Sequence, residues 1–112
     1  MPENVFPFDL NPDSETATDQ LHIRIAYELG ALTDFSVQYE TIIGGTIFVV
    51  VRYDASHAEA HRHLFDRHGA TCDRKPYPNS TFDQILDHAM RDLKTNWRRY
   101  RTDFIWREGV EL

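Results

Sequence analysis

From Phe82 to Phe104 the apolar side chains recur every three or four residues: Phe82, Ile85, Leu86, Ala89, Leu93, Trp97, Tyr100 and Phe104. A stripe of about 24 residues with this period makes one amphipathic helix roughly 36 Å long. Ser80 stands where an N-cap is expected, with Asp83 in the capping-box position. So long a one-sided helix needs a broad apolar surface to lie on. In a chain of 112 residues, the segment before it must supply that surface.

That segment reads as strands. Residues 21–29 alternate strictly, with Leu21, Ile23, Ile25, Tyr27 and Leu29 on one side and His22, Arg24, Ala26 and Glu28 on the other. Residues 35–43 repeat the pattern, with Phe35, Val37, Tyr39, Thr41 and Ile43 facing in. A period of two marks a half-buried strand. Gly44-Gly45 supplies a two-residue hairpin turn, and Ile47 to Tyr53 follows as a third strand, apolar on both faces and therefore central. A regular hairpin pairs Ile43 with Thr46 and Tyr39 with Val50. It leaves Ile42, Ile47, Val49 and Val51 on the face away from the helix, to be covered by the N-terminal arm or by a second subunit. A homodimer through that face is the expected assembly.

Composition narrows the class. Twelve Lys and Arg against eighteen Asp and Glu give a net charge of −6. Residues 1–20 hold five acids, no Lys or Arg, and Pro2, Pro7 and Pro12, so they read as an acidic arm before a single domain over residues 21–112. Val5, Phe6, Phe8 and Leu10 give that arm the means to dock on the domain or on a partner. The domain itself carries only −1, and the end of the helix is locally basic through Arg91, Lys94, Arg98, Arg99, Arg101 and Arg107. Broad DNA binding is not expected of this balance, whereas a local phosphate contact is compatible with it. One cysteine, Cys72, excludes an internal disulfide framework. The longest apolar run, Ile47 to Val51, is far too short for a membrane helix, and no secretory signal is visible, so a cytoplasmic location is expected.

The densest polar cluster is Arg52-Tyr53-Asp54, then His57, His61, His63 and His68. Residues 54–69 admit two readings. Ser56 to Glu59 resembles a capping box and Gly69 a helix C-cap, which favours a helix over 57–68. The alternative is a strand from His61 to Phe65, a turn over 66–69 and a return strand from Thr71 to Lys75. On a strand, His61 and His63 project from one face. With His57 or Asp54 as the third ligand they form a candidate site for zinc or a similar divalent metal, the set His57, His61 and His63 being the one expected. Alternatively Arg52, Asp54, His57 and His61, with Arg52 or Arg62 to hold a phosphate, suit general acid–base chemistry on RNA, which needs no metal or other cofactor. A third reading is structural: Asp54 caps the turn, Arg52 pairs with it or with Glu28, and Tyr53 fills the sheet edge.

Several segments resemble a family of small, uncharacterised prokaryotic proteins: Phe35 to Glu40, Val50 to Asp54, His57, His61-Arg62, and on the helix Ala89, Asp92-Leu93, Asn96-Trp97 and Tyr100-Arg101. The resemblance spans roughly residues 22–104. It rests on an Arg-Tyr-Asp-x-x-His-x-x-x-His segment and an Asp-Leu-x-x-Asn-Trp-x-x-Tyr helix. Relatives tend to carry Gly where this chain has Ala58, which implies strand–turn–strand over 61–75. They need not carry a histidine at position 63. Residues 50–65 are also similar to TumE-like toxins, which implies an RNA-directed toxin neutralised by a small antitoxin-like partner, with Arg52, Asp54, His57 and His61 as its site. The expected fold is therefore α+β: an antiparallel meander of about four or five strands, with one long C-terminal helix packed on one face.

Overall fold

The computed structural model describes residues 3–11, 18–56 and 59–112. Six strands run in order: β1 (Glu3–Asp9), β2 (Asp19–Glu28), β3 (Ala31–Ile43), β4 (Thr46–Ser56), β5 (Glu59–Phe65) and β6 (Thr71–Tyr77). Helix α1 (Phe82–Glu108) follows. Each strand pairs antiparallel with the next, giving a meander β1-β2-β3-β4-β5-β6. The strand count is six rather than four or five, because Glu3–Asp9 adds an edge strand in register with β2, from Glu3 opposite Ala26 to Asp9 opposite Gln20.

The helix lies over β3 and β4. Its buried residues, Ile85, Ala89, Leu93, Trp97, Tyr100 and Phe104, all belong to the periodic stripe. They meet Leu21, Ile23, Phe35, Val37, Tyr39, Val50, Val51 and Tyr53 of the sheet. Trp97 packs edge-on against Tyr39 at 6.1 Å between ring centroids, and Phe104 lies 5.5 Å from Phe48. Buried polar groups are paired here. Tyr39 Oη and Thr41 Oγ1 donate to Asp19 Oδ1 at 2.7 and 2.8 Å, which joins β2 to β3 beneath the helix. The N-cap is Thr81 rather than Ser80. Its hydroxyl accepts from the Gln84 amide while the Gln84 side chain accepts from the Thr81 amide. One step further along the chain, Gln84 rather than Asp83 completes the box. Gly109 closes the helix in the left-handed region (φ 64°).

The β3–β4 hairpin turns through Gly44 and Gly45 at φ 59° and 80°, a conformation glycine adopts without strain. Ile43 pairs with Thr46 as expected, but Tyr39 pairs with Val51, not Val50, because a β-bulge interrupts the register between Tyr39 and Glu40. The extra residue places both Val50 and Val51 in the core, 1% and 0% exposed. Beyond the bulge every side chain changes face. Tyr53 turns to the helix at 0% exposure instead of sitting at the sheet edge, and Val51 leaves the face away from the helix. Arg52 and Asp54 turn out onto that open face, where they stand opposite His63 and His61.

The open face is polar, carrying His22, Arg24, Gln38, Glu40, Arg52 and Asp54. Ile42 and Ile47 form its apolar end at 37% and 63% exposure. The described part of the N-terminal segment lies beside β2, not over that face. Leu29, assigned to the buried side by alternation, instead stands fully exposed in the β2–β3 turn at φ 51°, because a second register shift at Ala26 and Tyr27 ends the strict period and buries Ala26. Residues 59–65 and 71–77 form the strand–turn–strand arrangement. Gly69 serves its turn at φ 84°, where the Asp66 carboxylate accepts from the amides of His68 and Ala70. Among the described residues no helix is long and apolar enough to cross a membrane.

Candidate active site on the open sheet face

Strand β5 alternates between two environments. Arg62 faces the helix side and reaches Tyr100, whereas His61 and His63 face the open side. Their rings lie 5.9 Å apart. Asp54, opposite His61 on β4, sends one carboxylate oxygen to His63 Nε2 at 3.2 Å and the other to Arg52 Nε at 2.7 Å. Arg52 is held further by Gln38 Oε1 at 3.5 Å and by the Phe65 ring, 5.0 Å below its guanidinium. His63 stacks on Phe65 at 6.2 Å, and its Nδ1 meets Thr71 Oγ1 at 3.5 Å. Asp54 and His63 are each 16% exposed at the side chain, so the pair is shielded yet reachable.

His61 is buried at 3% exposure. Its Nε2 stands 2.6 Å from the Arg74 guanidinium and 2.9 Å from Glu59 Oε1. One ring nitrogen cannot accept from a guanidinium and donate to a carboxylate together. Arg74 is always a donor, so a bare Nε2 accepts from Arg74, and an Nε2 that carries a proton donates to Glu59. The nitrogen thus has a partner waiting for each protonation state. Nε2 stands between a fixed donor and a fixed acceptor, the geometry that positioned acid–base chemistry requires. His61 Nδ1 is buried with no hydrogen-bond partner among the described residues.

The structure brings Arg52, Asp54, His61 and His63 together. His57, expected in both the acid–base and the metal set, lies outside the described residues. Glu59 and Arg74 join the cluster without having been singled out. Arg74 faces His63 across the β5–β6 pair, a neighbour that can be found only once the turn at 66–69 fixes the register. Asp54, His61 and His63 each offer one ligand atom within 4.8 Å of the others. Two imidazoles and a carboxylate are a suitable donor set for zinc. Against this, Arg74 and Arg52 place guanidiniums on His61 Nε2 and Asp54 Oδ2, and a dication would have to displace both.

A second polar cluster lies under the helix. Asp92 accepts from Tyr100 Oη at 2.5 Å and Tyr53 Oη at 2.7 Å on one oxygen, and from Asn96 Nδ2 at 2.8 Å on the other. Asp92, Asn96 and Tyr100 are four residues apart, so they share a helix face; Tyr53 arrives from β4 through the bulge. Burial alone raises the Asp92 carboxyl, but the bonds from Tyr100, Tyr53 and Asn96 outweigh it and hold the carboxyl below its usual range. Burial, and then the Asp92 carboxylate, push the Tyr53 and Tyr100 hydroxyls up. We read this as the clamp that seats the helix. A carboxyl lowered on folding adds stability that is present above its unfolded value and lost as pH falls, here below about pH 4. Asp92→Asn is expected to flatten the acid limb of a thermal-melt series between neutral pH and pH 3. An acid limb as steep as that of wild type would contradict the clamp.

Fold and cluster define a small α+β protein with a helix on one face of a six-stranded meander and an Arg/Asp/His site on the other. The chain belongs to the family described as a domain of unknown function, DUF7718, whose model matches residues 5–109. No curated protein and no solved structure matches it.

Proposed function

We propose that the open-face cluster cleaves RNA by metal-independent acid–base chemistry, in the manner of a toxin held in check by a partner protein. The observation that carries this reading is His61 Nε2 between Arg74 and Glu59, 5.9 Å ring to ring from an Asp54-oriented His63. In the reaction one imidazole takes the proton of a ribose 2′-hydroxyl. That oxygen attacks the adjacent phosphorus, the 5′-oxygen leaves, and the second imidazole gives the leaving oxygen its proton. The product ends are a 2′,3′-cyclic phosphate and a free 5′-hydroxyl. Arg52 and Arg74 offset the charge that gathers on the phosphoryl oxygens. Arg74 is exposed on the edge strand, so a phosphate that recruits its guanidinium also frees the His61 lone pair. The similarity of residues 50–65 to TumE-like toxins supports the same substrate class.

The test uses the full chain with matched RNA and all-deoxy oligonucleotides. RNA is expected to be cut to cyclic-phosphate ends while the deoxy strand stays whole, since only RNA carries the attacking hydroxyl. Intact RNA, or equal cutting of both strands, would overturn the proposal. The Asp54, His61 and His63 spacing supports a second reading, a zinc-type site. Elemental analysis of tag-free protein separates the two: one metal per chain favours the second reading, and sub-stoichiometric metal ends it.

A further inference from the structure

The face of β5 that turns away from the two histidines carries Arg62, which lines a cavity of about 350 Å³ between the helix and the sheet. Arg99, Arg107, Tyr100 and Asp103 of the helix line it too, together with two aliphatic side chains of β4 and β5. Three guanidiniums thus meet one carboxylate. Arg62 is fixed by Tyr100 Oη, 3.4 Å from its Nη1, and that hydroxyl is fixed in turn by Asp92. Among the described residues its ion-pair partner is Asp73, whose carboxylate is 3.9 Å away. Arg62 Nε is buried and has no hydrogen-bond partner among the described residues. Arg99 forms no ion pair among them; its guanidinium lies 5.9 Å from the Tyr100 ring centroid. Arg107 is tethered to Glu108 and to the Phe65 carbonyl.

Among the described residues the Arg62 Nη groups make one hydrogen bond, to Tyr100, so the fork keeps donors for an incoming acceptor. Arginine forks match phosphate oxygens in pairs. We infer that this cavity binds a phosphate or diphosphate group, with the half-buried Arg62 as the inner anchor and Arg99 and Arg107 as the outer cations. The volume falls within the roughly 300–1,000 Å³ range of small-molecule sites, so it has room for a nucleotide as well as for a free anion. The site lies on the opposite face from the histidines and does not rest on the cleavage reading.

Calorimetric titration of the full chain with inorganic pyrophosphate and with a nucleoside diphosphate tests it. Saturable binding at one site is expected, weakened by about tenfold or more in Arg99→Gln and in Arg62→Gln, and unchanged in His63→Ala. Equal affinity for the two probes points to a free anion as the natural ligand, and tighter nucleotide binding to a nucleotide; both uphold the site. Arg99 is exposed, so Arg99→Gln decides the matter if Arg62→Gln does not fold. Absence of saturable binding, wild-type affinity in Arg99→Gln, or loss of binding in His63→Ala would each overturn the inference. The last result would place the anion on the open face.

Discussion

His63→Ala is expected to slow RNA cleavage by roughly 10²- to 10⁴-fold, the range that one positioned acid or base supplies. The fold should survive the change. His63 lies on the open face, outside the helix-side core, and its truncation leaves the core of β5 in place. Asp54 keeps its bond from Arg52 after the change, so no carboxylate is stranded. The expected pairing is therefore a collapse of rate with a melting temperature close to that of wild type. His61→Ala should slow cleavage comparably, but it also empties a buried position, so His63 gives the cleaner comparison. Asp54→Asn adds a graded control. The amide fills the same space but no longer supplies a charge to orient and stabilise an imidazolium. A rate loss smaller than that of His63→Ala identifies Asp54 as a positioning residue. Full activity in both His63→Ala and Asp54→Asn would mean that the cluster is a surface feature.

The largest expected effect on stability belongs to the helix. Trp97 is 5% exposed in the middle of the buried stripe, edge-on to Tyr39 and packed within the central core. Trp97→Ala removes that ring and leaves a cavity between helix and sheet, at an expected loss of about 3–5 kcal/mol. That is a large share of the roughly 5–15 kcal/mol that holds such a domain folded. Chemical denaturation should show the midpoint falling steeply, with the slope unchanged if unfolding stays two-state. A loss under about 1 kcal/mol would mean that the ring is easily replaced and that the helix is seated mainly by the Asp92 clamp. Trp106, at 83% exposure, is the internal control: its truncation should change stability little.

The helix, the inward face of β3 and β2 as far as Ile23 are legible in the sequence because their periods run unbroken there. Phe35, Val37, Tyr39, Thr41 and Ile43 are all buried as the alternation requires. The period fails where a bulge inserts a residue. In Ile47 to Val51 every side chain is apolar, so nothing local marks Val50 as the extra one. Yet that single step decides whether Arg52 and Asp54 face the helix or the histidines. The same shift carries Tyr53 from the open side to Asp92. The His-x-His spacing correctly places two imidazoles on one face. Glu59 and Arg74 are invisible from such spacing, since one needs the start of β5 and the other the cross-strand register of β6. The edge strand β1 was hidden by its acids and prolines. Its Phe6 and Phe8, opposite Ile23 and Leu21, sit on the helix side of the sheet edge, and Lys94 lies over the Phe8 ring at 4.5 Å.

The central claim is that the imidazole pair works without a metal. Its most direct test is the rate at which the full chain cleaves a defined RNA in excess chelator, measured beside His63→Ala under the same conditions. The account predicts wild-type cleavage undiminished by chelator and nearly abolished in the variant. Cleavage that stops with chelator and returns with added zinc would contradict it.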